Sequence, residues 1–162
     1  NCLIAGNGRG RVNNSAGIGS HAHGALNLLA VNCTIAGNHG AGIATAFGGG
    51  NYFLTNTIVW GNAADTLATA SGVMEMRNCL VSSTAGMTSG SDNLVADPLF
   101  VDADAGYFRL RTGSPAINSG INLPWMADAL DLDGNRRVYG ASGVVDRGAY
   151  EYTPRGSLLA IR

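Results

Sequence analysis

The sequence predicts an all-β fold, a β-solenoid whose short strands stack in successive coils. A phrase that begins with Asn recurs along the first half of the chain, and its leading residues are Asn1, Asn32, Asn56 and Asn78. The intervals of 31, 24 and 22 residues between them are typical of stacked repeats. On both sides of the leading Asn, apolar or small residues recur at every second position, which is the period of a β-strand.

Each coil is predicted to hold three short strands separated by corners rich in Gly or Asn. The segments 16–20 and 41–45 supply one strand of two coils, and the other two strands lie before and after the leading Asn. Asn suits a corner because it tolerates the left-handed backbone conformation. Stacked Asn side chains can also hydrogen-bond along the axis. We therefore interpret Asn32, Asn56 and Asn78 as a structural ladder.

Charge divides the chain into two parts. Residues 1–91 contain five charged residues, whereas residues 92–162 contain the other sixteen and all four prolines. We interpret residues 1–91 as coils that begin partway through a repeat, as in a piece of a longer protein. Residues 92–156 are predicted to form a C-terminal coil and an irregular cap, and residues 157–162 an apolar tail. All three belong to one structural domain.

The composition excludes several classes of function. The chain has 162 residues, of which 13% are charged, a net charge of −1 and no lysine. A basic surface for nucleic acid is therefore not expected, and neither is Schiff-base or P-loop lysine chemistry. No apolar run approaches the ~20 residues of a membrane span.

Four motifs follow one another in the C-terminal part of the sequence. They are Asp97-Pro98-Leu99-Phe100-Val101-Asp102, Gly113-Ser114-Pro115-Ala116-Ile117-Asn118-Ser119-Gly120, Asp131-Leu132-Asp133-Gly134-Asn135-Arg136 and Val145-Asp146-Arg147-Gly148-Ala149-Tyr150-Glu151-Tyr152. This series resembles the terminal segment of large secreted bacterial choice-of-anchor Q proteins. The repeated phrase resembles the coil of right-handed parallel β-helix proteins of the pectate-lyase-like superfamily. The resemblance implies a right-handed helix, which the crossover rule for parallel strands also favours, and it implies a secreted or cell-surface location.

The three cysteines occupy the same position of the repeat. Cys2 and Cys33 are expected to be neighbours, and Cys79 is separated from Cys33 by the coil that carries Thr57. In-register stacking leaves neighbouring Cβ atoms farther apart than the ~3.8 Å that a disulfide prefers. We interpret the row as buried free thiols that belong to the structural ladder, with a disulfide or a metal role as the alternatives.

Histidine and tryptophan residues offer candidate ligand contacts. His21 and His23 lie on the same strand face, where two imidazoles could contribute to a zinc site, but the strand period directs both outward. Trp125 stands beside a proline in an irregular segment and is a candidate for an exposed aromatic contact. Trp60 replaces the Ala of other repeats and is interpreted mainly as a packing residue.

One loop resembles the start of a calcium site. Asp131, Asp133 and Asn135 place oxygen ligands at alternate positions, although the downstream bidentate Glu of an EF-hand is missing. The alternative is a tight turn in which the carboxylates accept backbone N–H groups. The sequence therefore predicts no obligatory cofactor and leaves calcium as a possibility.

No catalytic constellation is predicted within the chain. Sugar-cleaving β-helices use clustered acids, or an Arg or Lys base with calcium, on an outer strand face. Residues 1–91 offer only Asp65 and Glu75 as acids, and the acids of the second half fall in motifs that build turns. We interpret the catalytic set as none.

The two ends suggest a possible assembly. A coil without a cap exposes unpaired backbone groups, and the first coil, at Asn1, has no evident cap. The chain finishes with an apolar segment that includes Leu158, Leu159 and Ile161. This tail is expected to dock on its own coils or to add to the edge of another molecule.

The sequence thus predicts a non-catalytic structural or adhesive part of a secreted or surface β-helix protein that contacts polysaccharide. Two alternatives are a fragment of a polysaccharide lyase or glycoside hydrolase of pectate-lyase type and a self-assembling extracellular filament subunit. Acids clustered on the outer face of one strand stack would favour the enzyme.

Overall fold

The computed structural model describes residues 1–8, 16–20, 26–45, 50–64, 72–138 and 142–154. These residues form β-strands and one 3₁₀ helix, Pro124–Asp128. The strands are β1 (Cys2–Ala5), β2 (Ala16–Ser20), β3 (Leu26–Val31), β4 (Cys33–Ala36), β5 (Ala41–Thr45), β6 (Gly50–Thr55), β7 (Ile58–Trp60), β8 (Gly72–Arg77), β9 (Leu80–Val81), β10 (Ser89–Ser91), β11 (Leu94–Val95), β12 (Phe100–Asp102) and β13 (Tyr107–Leu110).

Two parallel sheets contain most of these strands, and each follows the order of the chain. Sheet A has the order β1-β4-β7-β9-β11, and sheet B has the order β3-β6-β8-β10. The register is continuous, with Cys2 opposite Cys33 in sheet A and Leu28 opposite Tyr52 in sheet B. Strands β2 and β5 form a shorter parallel sheet C. The predicted all-β fold with parallel sheets is confirmed.

The third strand is missing from the later repeats in the part of the chain that the structure describes. We number the repeats by their corner residues Asn1, Asn32, Asn56, Asn78 and Asp92. Repeats 1 and 2 contribute to all three sheets, and the described residues of repeat 3 join sheet C through an isolated bridge from Ala41 to Ala64. Asp92 follows Asn78 by only 14 positions. This short repeat has room for a turn between β9 and β10 but not for a third strand.

The first hydrophobic core lies between the inner faces of the sheets. Strand β6 alternates strictly between buried and half-buried residues, as the period of two predicts. The buried members of this core are Ala30, Cys33, Ile35, Ile43, Tyr52, Leu54, Val59, Met74, Met76, Cys79 and Val81.

A second core lies on the opposite face of sheet A. Its buried members are Ala36, Ile58, Leu80, Phe100, Phe108, Leu110 and Ala116. Phe100 and Phe108 belong to the antiparallel pair β12–β13 and meet edge to face, with ring centroids 5.2 Å apart. Because both faces of sheet A are covered, all four residues of β4 are buried, a pattern usual for parallel strands.

The segment that provides this cover, residues 97–154, is here called the C-terminal arm. The arm runs along one side of sheet A, because its side chains pack against residues from several repeats of that sheet. Phe108 even reaches the corner of repeat 2, where its ring lies 3.1 Å from the position of a Cβ on Gly37.

Candidate functional site

The four C-terminal motifs are bound to one another. Ser114 Oγ donates a hydrogen bond of 2.6 Å to the carbonyl of Pro98, which joins the first two motifs. The backbone N–H of Asn118 donates to Asp146 Oδ1 at 2.7 Å, which joins the second and fourth. The polar residues of these motifs therefore build the tertiary structure of the arm.

Arg137 is the centre of this network, and its side chain is fully buried. Its Nη1 donates to Glu151 Oε1 and to the carbonyl of Gly148, both at 2.9 Å. Its Nη2 donates to the carbonyl of Ala149 at 2.9 Å and to Asn1 Oδ1 at 2.8 Å. No described residue accepts a hydrogen bond from Nε. One guanidinium thus ties three arm residues to the first repeat.

The carboxylates around Arg137 are held in an unfavourable environment for charge. Burial and the neighbouring Asp146 raise the pKa of Glu151 to about 8, although Arg137 opposes the shift. Burial also raises the pKa of Asp146, against the backbone N–H groups of Asn118 and Tyr152. Both shifts are desolvation effects, so these groups retain protons at a higher pH than exposed carboxyls do.

The loop with the calcium-like spacing is occupied by its own hydrogen bonds. Asp131 Oδ1 accepts the backbone N–H groups of Asp133 and Asn135, both at 2.8 Å. Its Oδ2 accepts the N–H of Glu151 at 2.8 Å and Asn135 Nδ2 at 3.1 Å. Asp133 forms a bidentate pair with Arg109, with both distances 2.6 Å. A cation would have to displace these donors, so the arrangement fits a turn better than a calcium site.

The arm is bound to successive repeats by hydrogen bonds from main-chain and side-chain donors. Three consecutive arm residues bond to three repeats, through Arg147 Nη1 to the Cys79 carbonyl (2.6 Å), the Gly148 N–H to the Asn56 carbonyl (2.7 Å) and the Ala149 N–H to Thr34 Oγ1 (3.0 Å). Together with Arg137 and Asn1, these bonds connect the arm to repeats 1 to 4.

The corner asparagines take part in this docking. Asn32, Asn56 and Asn78 have φ of 50°, 49° and 49°, the left-handed conformation that Asn tolerates. The bond from Asn56 Nδ2 to Asn32 Oδ1 is long, at 3.5 Å. Shorter bonds join Asn56 to the backbone of Ile121 in the arm, at 2.8 and 2.9 Å, and Asn1 Nδ2 to the Leu130 carbonyl at 2.6 Å. Asn1 and Asn56 therefore bind the arm, and Asn56 also bonds to the neighbouring corner residue Asn32.

A second row of asparagines forms a tighter ladder that the sequence interpretation missed. Asn7 Nδ2 donates to Asn38 Oδ1 at 3.0 Å, and Asn38 Nδ2 donates to Asn62 Oδ1 at 2.7 Å. Asn38 Nδ2 also donates to the carbonyl of Ile4 at 3.0 Å. The signal was present in the sequence, since these residues are the last Asn of each repeated phrase.

The cysteine row is in register but is not uniformly buried. All three thiols are free; Cys33 and Cys79 are buried, and Cys2 is exposed, which differs from the expected buried row. Thr57 lies between Cys33 and Cys79, and its Oγ1 accepts the N–H of Cys33 at 3.4 Å. Burial raises the pKa of Cys79 to about 11, which suppresses the reactive thiolate.

Two adjoining grooves lie between the arm and the ends of the sheet A strands of repeats 1 to 3. One has a volume of about 720 Å³ and is lined by residues that include His39, Asn62 and Phe108. The other has a volume of about 530 Å³ and includes Trp60. They share Ala103 and Asp104, so we treat them as one feature, called the trough.

The outer face of sheet B is the strand face that the arm leaves accessible. It carries a hydrogen bond of 3.0 Å from Asn51 to Asn27 and an exposed Leu29. In the described strands of this sheet the one acidic residue is Glu75, whose Oε1 lies 2.6 Å from Arg77 Nε. A carboxylate pair of the kind that glycosidases use is therefore not formed within these strands.

Several candidate residues lie outside the described part of the chain. They are His21, His23, Leu158, Leu159 and Ile161. Trp125 is described and is 51% exposed on the 3₁₀ helix. Among the described residues, no group of three or more His, Cys, Asp or Glu is arranged to hold a metal ion, and no helix is long and apolar enough to cross a membrane.

Comparisons with protein-family models, with curated proteins and with solved structures give no match to this chain.

Proposed function

We propose that this chain is the C-terminal part of a right-handed parallel β-helix of the pectate-lyase-like superfamily, with a terminal region of the choice-of-anchor Q type. The order of strands in sheets A and B supports the helix, because each repeat adds one strand to each sheet in turn. The right-handed hand follows from the usual crossover between parallel strands.

The proposed role is structural and adhesive, in a secreted or surface protein that contacts polysaccharide. The observation that carries this proposal is that the buried acidic side chains are bonded to groups of the protein itself. Asp131, Asp146 and Glu151 accept backbone N–H groups or pair with Arg137. Carboxylates committed in this way hold the arm against the repeats and have little capacity for general acid–base work.

The trough favours one alternative, a glycoside hydrolase or polysaccharide lyase fragment. Asp97, Asp102 and Asp104 line the same groove as Trp60, and paired carboxylates are the groups that glycoside hydrolysis requires. The two roles differ in whether the bound polymer is cleaved.

One experiment separates them. The chain is incubated with a panel of insoluble neutral and acidic polysaccharides, and both the bound fraction and the release of reducing ends or unsaturated products are measured. The proposal expects binding without product above the level of a heat-denatured control. Product release that is abolished by Asp102→Asn or Asp104→Asn would establish the enzyme instead.

A further inference from the structure

Trp60, at the edge of the trough, differs in residue type from the equivalent positions of the preceding repeats. The same position is Ala5 in repeat 1 and Ala36 in repeat 2, and Ala36 lies directly opposite Trp60 in sheet A. The indole is half-buried, because it packs against the second core and also lines the groove. Its neighbour in sheet A is a small residue, so the chain places a large aromatic surface where its other repeats have none.

Two carboxylates in the same groove are already oriented. Asp97 Oδ1 accepts the N–H of Leu99 at 2.8 Å, and Asp102 Oδ1 accepts the N–H of Ala105 at 3.1 Å. The described residues place no donor on the second oxygen of either group. Each carboxylate is therefore fixed by one oxygen and offers the other to a hydroxyl donor.

The charge of the groove discriminates between classes of sugar. Asp97, Asp102 and Asp104 contribute three negative charges and Arg111 one positive charge, which leaves a net charge of −2. The Arg111 guanidinium is directed at the carbonyls of the strand, 2.9 Å from the Phe100 oxygen. Like charges across an interface disfavour a ligand, so we expect the groove to disfavour a polymer of uronic acids relative to hydroxyl-rich neutral sugars.

We propose that the trough is a saccharide-binding site for neutral polysaccharide, in which a sugar ring stacks on Trp60 and its hydroxyls donate to Asp97, Asp102 and Asp104. This inference rests on the proposed contact with polysaccharide and adds its location and its selectivity. An aromatic side chain surrounded by polar acceptors at the junction of two packed units is a usual ligand environment. The site lies at the corner of the stack and not on the outer face of sheet B.

Affinity electrophoresis tests this site with the whole chain, using mixed-linkage β-glucan, galactomannan and polygalacturonate in the gel. We expect at least one neutral polymer to retard the wild type and polygalacturonate not to. Trp60→Leu is expected to weaken binding about tenfold or more, as is usual when an aromatic anchor of a binding site is removed. Because Trp60 also packs, the exposed pair Asp102→Asn and Asp104→Asn provides a second variant that leaves both cores intact, and it is expected to weaken binding as well.

Two matched controls locate the contact. Asp128→Asn removes an exposed carboxylate outside the trough, and Trp125→Leu removes the other tryptophan, so both are expected to bind as the wild type does. Three results would contradict the trough as the binding site without contradicting the polysaccharide contact itself. They are undiminished binding by the Asp102 and Asp104 variant, loss of binding in Trp125→Leu, and stronger retardation by polygalacturonate than by the neutral polymers. Absence of retardation by every polymer would overturn the proposed contact itself.

Discussion

At the scale of single residues, close packing against Val59 and Asn62 leaves no room for a side chain at Gly42. A Cβ on Gly42 would lie 2.8 Å from Val59 Cγ1 and 2.9 Å from Asn62 Nδ2. A Cβ on Gly19 would meet only the Ala16 methyl group, at 3.8 Å. Gly19 is also opposite Ala44 in sheet C, so repeat 2 already accepts alanine at this position.

Gly42→Ala is therefore predicted to destabilise the fold by about 1–3 kcal/mol through overpacking, whereas Gly19→Ala is predicted to be neutral or slightly stabilising. Urea unfolding followed by circular dichroism gives both free energies of unfolding. Equal values for the two variants would contradict the close approach seen at Gly42.

The second asparagine row predicts a similar contrast. Asn38 is buried and bonds to Asn7, Asn62 and the Ile4 carbonyl. Asn38→Ala removes the acceptor that Asn7 uses and the amide donor to Asn62 and to the Ile4 carbonyl, and is expected to cost about 2 kcal/mol. Asn51→Ala, which removes an exposed Asn–Asn bond, is the matched control and is expected to change the free energy of unfolding by less than about 0.5 kcal/mol. A comparable loss in both variants would show that burial of the ladder is unimportant.

At the scale of elements, the arm should be held less firmly as the pH rises. The folded-state pKa of Glu151 is about 8, and that of Asp146 is also raised, so the folded chain binds more protons than the unfolded chain above the ordinary carboxyl range. A group whose pKa is raised by folding contributes its full stabilisation at a pH below the pKa that it has in the unfolded chain. This contribution is lost as the pH rises through the pKa that the group has in the folded chain.

We therefore predict that the free energy of unfolding falls progressively between roughly pH 5 and roughly pH 8 and levels off above the folded-state pKa of Glu151. Glu151→Gln keeps an acceptor for Arg137 but cannot ionise, so its stability should depend less on pH over this range. Urea titrations at a series of pH values measure both slopes. The prediction fails if the wild type is more stable at the alkaline end or if the variant keeps the full slope.

The repeats were predictable from the sequence because strand periodicity and the corner Asn are local properties. The period of two around Asn32 and Asn56 predicts the strands of sheets A and B, and the positive φ of these residues follows from their own side chains. The placement of the arm was not predictable, since Arg137 reaches a residue 136 positions away in the chain. The trough depends on the same placement, because its walls come from repeats 1 to 3 and from the arm.

At the scale of the whole molecule, sheet A is shared by two cores. Its residues alternate between them, as Val59 faces the first core and Ile58 the second. Removal of the arm would expose the second core and leave the carbonyls of Asn56 and Cys79 without the bonds that the arm supplies. The repeats and the arm are therefore expected to unfold in one cooperative transition.

The two tryptophans make this expectation testable, because Trp60 ends β7 in the repeats and Trp125 lies in the 3₁₀ helix of the arm. The Trp125→Phe variant retains Trp60 as a single tryptophan reporter in the repeats. The Trp60→Phe variant retains Trp125 as a single tryptophan reporter in the arm. We predict that, within each variant, the urea unfolding curve from fluorescence coincides with that from circular dichroism. Addition of Phe108→Ala, which opens the second core, should lower the midpoint of both reporters together and cost about 3–5 kcal/mol. Loss of the Trp125 signal at a lower urea concentration than that of the strands would show that the arm is an independent unit, docked on a stack that is stable without it.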